Sequence, residues 1–145
     1  MEPLNKNKLS TAKLFILAGL LLLASGMLFG LTGALKYLIT DFIKQYLSFE
    51  KVRPLHVSSV VFWIIFAAIG SVLSYLQQYN GKVIFSPLLL KIQFAIFSIS
   101  VFAILVSYCF GVFGGREYWE FHPVFALPIA AGWILFIINF IKSLS

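Results

Sequence analysis

Four times along this chain, electric charge disappears for more than twenty residues. The uncharged runs are 14–35, 57–79, 92–115 and 121–141, each 21–24 residues long. At ~1.5 Å per residue, a helix of that length crosses a hydrocarbon core of ~30 Å. Helix is the required form, because an open strand would leave backbone N–H and C=O groups unpaired in lipid. The sequence therefore predicts an all-α integral membrane protein with four transmembrane helices.

Composition excludes the competing classes. Of 145 residues, 61% are hydrophobic and 11% are charged, against roughly 45–50% and about 25% in soluble domains. A water-soluble globule of this size could not hide that much apolar surface. The net charge of +6 would suggest a nucleic acid if the chain were soluble. Here the basic residues flank the apolar runs, as membrane anchors do. No basic stripe interleaved with aromatics is left for a phosphate backbone. The partner is membrane lipid, with no nucleic acid.

One cysteine, Cys109, removes a disulfide scaffold. Placed between Tyr108 and Phe110, it reads as a small buried apolar residue. There is no CxxC or HExxH spacing, and Gly114-Gly115 lacks the strand context of a phosphate loop.

The segments between the runs are short. Around residues 37–50, Leu38, Ile39, Phe42, Ile43, Tyr46 and Leu47 recur at helical spacing, which suits a short amphipathic helix lying along the membrane interface. Asn80-Gly81 and Ser86-Pro87 are turn formers. The first run is longer than a signal-peptide core and has no A-x-A site close behind it, so it reads as a membrane helix. With the N-terminus inside, Lys6, Lys8, Lys13, Lys82, Lys91 and Lys142 lie inside, against Lys36, Lys44, Lys51, Arg53 and Arg116 outside. That balance leans toward a cytoplasmic N-terminus.

Small residues mark where helices can touch: Gly19, Gly26, Gly30 and Gly33 in the first run, and Ala67, Gly70, Ser71 and Ser74 in the second. Gln93 and Asn139, polar groups inside apolar runs, suit hydrogen bonds to neighbouring helices.

Two segments are dense in chemistry. Arg53-Pro54-Leu55-His56 opens the second helix, and Gly115-Arg116-Glu117-Tyr118, with Glu120 and His122, precedes the fourth. A histidine at the end of a bundle helix can ligate heme iron through its imidazole, and neighbouring arginines can pair with heme propionates. A hydrogen-bonded interfacial anchor is the plainer reading of the same histidine. Glu117 and Glu120 share a face if their loop is helical. They can supply oxygens to a hard cation such as calcium, or relay protons. A solvated loop in which Arg116 pairs with a glutamate is the plainer reading there.

Together the two motifs resemble subunit I of the heme–copper oxidases, in the C-type branch of cytochrome c oxidases and the related nitric oxide reductases. The resemblance runs over the whole chain. It implies a bundle of about twelve helices, helix being the form lipid allows, of which these are the first four. It also implies a bacterial inner-membrane location with the N-terminus in the cytoplasm.

On this resemblance His56 matches the axial ligand of low-spin heme b. Arg53 and Arg116 match propionate or loop-pairing positions, and Glu117 and Glu120 match carboxylates linked to a structural calcium and to proton movement. Copper and the second heme belong to later helices of a complete subunit. Two histidines in total are too few for a binuclear centre, so these residues alone cannot reduce oxygen or nitric oxide.

The implied partners are the remaining helices of subunit I or other oxidase subunits, and a cytochrome c-type electron donor. Three alternatives stand beside the oxidase reading. The chain could be a segment of a nitric oxide reductase large subunit. It could be an autonomous four-helix cytochrome b with His56 and His122 as paired ligands, or a structural membrane protein without cofactor.

Overall fold

The computed structural model describes residues 10–39, 41–79, 84–116 and 118–144. It contains four helices: α1 (Thr11–Leu38), α2 (Phe49–Tyr79), α3 (Pro87–Cys109) and α4 (Ala126–Leu144), the last preceded by a short 3-10 turn over Pro123–Phe125. All four are long and apolar enough to cross a membrane.

The helix ends do not coincide with the ends of the uncharged runs: α1 and α2 start earlier, α3 stops at Cys109 and α4 starts at Ala126. Ser10 caps α1 by accepting from Lys13 N–H, and Ser86 caps α3 by accepting from Leu89 N–H, as N-terminal serines do. Pro54, expected just ahead of the second helix, lies inside α2. It is the sixth residue of α2, past the first turn, so it removes the bond that an N–H there would make to Glu50 O.

At the other end of α3, Gly111 adopts φ 75°. Its N–H reaches Tyr108 O at 3.0 Å and Val112 N–H reaches Ser107 O at 3.0 Å. This pair of bonds is the Schellman closure, which ends the helix. Cys109 is therefore the last helical residue and is exposed, rather than buried in mid-helix as the sequence suggests.

The interfacial segment also departs from expectation. Residues 41–46 form turns instead of a helix, and Ile43 has φ 45°. Lys36 at the end of α1 gathers this segment, donating to Phe42 O at 2.8 Å and to Leu47 O at 2.6 Å. The Asn80-Gly81 turn lies outside the described residues.

α1 and α2 pack closely along their length, and the small residues are the reason. A β-carbon added at Gly70 would stand 2.8 Å from Ala12 O, and one at Gly19 would stand 3.1 Å from Ala67 N. Lipid gives no hydrophobic drive for helices to associate, so close backbone approach and dispersion must provide it.

A chain of aromatic contacts then crosses all four helices. Phe15 of α1 meets Phe66 of α2 at 5.4 Å and Phe94 of α3 at 5.0 Å; Phe66 meets Phe97 at 6.0 Å, and Phe97 meets Trp133 of α4 at 5.8 Å. Near the start of α3, Asn139 of α4 accepts from Ser86 N–H and donates to Ser86 O, both at 3.0 Å. Asn139 thus bonds across elements as expected. Gln93 does not: both of its amide atoms are buried with no hydrogen-bonding partner among the described residues.

Candidate functional site

His56 sits two turns into α2, on the side that faces α1. Its Nδ1 lies 2.7 Å from Gly26 O. A carbonyl oxygen only accepts, so Nδ1–H is the donor. The neutral ring then carries its free lone pair on Nε2.

Gly30, one turn further along α1, lies beneath the ring. A β-carbon there would come within 2.9 Å of both Nδ1 and Cε1 of His56. The stripe of small residues that the sequence offered as a helix contact is therefore also the seat of this imidazole. The four-residue spacing of Gly26 and Gly30 was visible in the sequence; that His56 packs onto them was not.

His56 opens onto a groove of about 320 Å³, walled by Phe29, Gly30, Gly33, Tyr37, Phe49 and Val52, with Arg53 at its rim. Arg53 and Phe49 also line a second cavity of about 710 Å³, together with Glu50, Phe113, Arg116 and Glu120. Arg53 is thus common to an apolar groove and a polar vestibule.

The polar side is built by the loop between α3 and α4. Arg116 and Trp119 form an isolated bridge, with Trp119 N–H donating to Arg116 O at 3.2 Å, and Gly114 N–H donates to Glu120 O. Gly114 must be glycine here, since a β-carbon would overlap the carbonyl of Phe121. The loop turns Glu120 inward: its side chain is 9% exposed, and its Oε1 meets Arg53 Nη2 at 2.8 Å. A carboxylate held so far from water requires such a partner.

Two further bonds fix α3 against the start of α2. Lys51 Nζ donates to Cys109 O at 2.8 Å, and the Ser58 and Tyr108 hydroxyls share a buried hydrogen bond of 3.0 Å. Neither was foreseen from sequence, where Ser58 and Tyr108 carry no motif.

The structure thus brings together His56, Arg53, Arg116 and Glu120. Glu120 pairs with Arg53, not with the adjacent Arg116. Glu117 lies outside the described residues. His122 stands apart: it is exposed, it lines neither of the two cavities, and its Nδ1 accepts from Val124 N–H at 3.4 Å. Among the described residues, no three His, Cys, Asp or Glu side chains converge as metal ligands.

Residues 10–145 match the family described as Cytochrome C and Quinol oxidase polypeptide I. This chain belongs to that family. It is also similar to a nitric oxide reductase polypeptide of Stutzerimonas stutzeri, at 27% identity over 101 residues, which is 70% of this chain and 21% of the relative. The chain spans about a fifth of that relative's length. A member of the oxidase polypeptide I family with four membrane-capable helices, this chain is a membrane protein of an oxidase-subunit type.

Proposed function

We propose that the chain is the N-terminal four-helix portion of a heme–copper oxidase catalytic subunit, in which His56 supplies one axial ligand to a low-spin heme b. On this reading it lies in a bacterial inner membrane with its N-terminus in the cytoplasm. The observation that carries it is the bond from His56 Nδ1–H to Gly26 O. Histidines that ligate metals usually donate their other ring N–H to a carbonyl or carboxylate, which fixes the tautomer and aims the free nitrogen. His56 has that arrangement, and Gly30, having no β-carbon, leaves room for the ring against α1.

The surrounding residues fit the group. The groove beside His56 is walled by aromatic and aliphatic side chains, as a porphyrin face requires. At its rim Arg53, and beyond it Arg116, offer guanidinium groups to the acidic edge of a heme; guanidinium pairs with carboxylate in a fixed two-pronged geometry. When bound, the heme supplies an iron centre that accepts and releases one electron at a time.

Glu120 anchors Arg53 through Oε1, and so holds the guanidinium at the rim. Its second oxygen, with Glu117, is assigned to the carboxylates that serve calcium or proton movement. The copper, the second heme and their ligands belong to helices beyond these four, and a cytochrome c-type protein is the proposed donor.

A second reading, a nitric oxide reductase large subunit, is favoured by the similarity to the S. stutzeri protein. Both readings use His56 in the same role and differ in the metal-site helices.

The test is to purify the natural product that carries these residues from its own membranes and extract its heme. Heme b with a low-spin ferric spectrum is expected, and a heme-free product overturns the proposal. Consumption of oxygen or of nitric oxide by the same preparation then separates the two readings.

A further inference from the structure

Gln93 lies in the second turn of α3 with none of its surface exposed, and neither Oε1 nor Nε2 meets a partner among the described residues. Buried polar groups are almost always satisfied by protein or by ordered water.

The Ser58–Tyr108 bond marks one end of α3. Travelling about fifteen residues along α3 away from that bond, at ~1.5 Å per residue, reaches Gln93. One turn further toward the end of the bundle where α1 begins, Gln77 and Leu90 line a cavity of about 220 Å³ together with Ser10, Thr11 and Lys91.

We infer that this cavity continues one turn deeper as a hydrated inlet and ends on water bound by the side-chain amide of Gln93. Water is the ligand because the site presents both donor and acceptor valences and no charge. An aromatic ring such as Phe94 or Phe97 can take an amide N–H, but it cannot satisfy Oε1 of Gln93. Leu90, one turn nearer the mouth on the same face of α3, is the side chain that separates cavity from amide. The inference is independent of the heme reading, since the inlet opens at the end of the bundle opposite His56.

The experiment uses the full chain in membranes, labelled with carbon-13 glutamine, and follows the side-chain carbonyl band by infrared spectroscopy on transfer to heavy water. The Gln93 band is assigned by its loss in Gln93→Leu. If that variant does not accumulate, it is assigned by removing Gln45, Gln77 and Gln78 in turn.

The expected band lies at a hydrogen-bonded frequency and shifts as fast as solvent is mixed. A band at the unbonded frequency, or a shift only over the minutes to hours of local opening, overturns the inference. Leu90→Trp, which keeps Gln93 and blocks the inlet, is expected to abolish the fast shift. An unchanged fast shift in Leu90→Trp overturns it as well.

Discussion

The imidazole of His56 hangs by Nδ1 from the carbonyl of Gly26, 2.7 Å away and thirty residues earlier in the chain. A helix carbonyl is normally spent on the N–H four residues on, so this one is shared. The sharing is possible because Gly26 and Gly30 carry no side chains to hold α2 away. Packing of two helices and orientation of a ring are thus one feature.

Gly30 is the position where this can be tested without touching the histidine. Gly30→Val puts a branched side chain where a β-carbon alone would stand 2.9 Å from the ring. Overpacking of this kind costs about 1–3 kcal/mol, and the ring must rotate off the Gly26 carbonyl. The purified product is expected to keep its chain but lose most of its low-spin heme signal by electron paramagnetic resonance.

Arg53 and Glu120 are expected to behave as a coupled pair. Removing the arginine leaves a carboxylate that is 9% exposed without its partner, whereas Arg53 itself is 53% exposed. A fully buried pair broken on one side costs about 3–5 kcal/mol; with Arg53 half in solvent, about 1–2 kcal/mol is expected for Arg53→Met, discounted as exposed pairs require. Thermal unfolding in detergent should show Arg53→Met/Glu120→Gln losing less than the two single changes together.

The Ser58–Tyr108 bond joins α2 to α3 two residues beyond His56. Tyr108→Phe removes one hydroxyl and is expected to cost about 1 kcal/mol, the usual net worth of such a bond. Ser58→Ala made in the Tyr108→Phe background should cost little more. Equal, additive losses in unfolding temperature would show that the two hydroxyls do not meet.

At the opposite end, Asn139→Leu strips Ser86 of two bonds at 3.0 Å. Losing bonds to a part-buried backbone costs on the order of 1 kcal/mol, and the effect should be local. Hydrogen exchange is expected to quicken over residues 84–90 while α1 and α2 keep their protection.

The four spans were legible because charge is so expensive in lipid that its absence for twenty residues has few other causes. The ends were less so: Gly111 closes α3 through its backbone, which no hydropathy pattern encodes, and Cys109 is exposed as a result. The turns at 41–46 stand where Lys36 captures the carbonyls of Phe42 and Leu47, side-chain bonds that helical periodicity does not encode.

At the candidate site, His56 and Glu120 could be picked out because polar groups near apolar runs are conspicuous. Their partners could not. Gly26 contributes only a carbonyl, and Arg53 reaches Glu120 across more than sixty residues of chain, past the nearer Arg116.

The proposed role of His56 Nε2 is to ligate a heme. His56→Gln tests it most directly, because a glutamine amide can still donate to Gly26 O but offers no imidazole to iron. The measurement is the low-spin heme spectrum of the purified natural product, with chain yield and unfolding temperature taken alongside. A folded product at near-normal yield with the low-spin heme b signal gone is expected. A His56→Gln product that retains that signal at full intensity would contradict it.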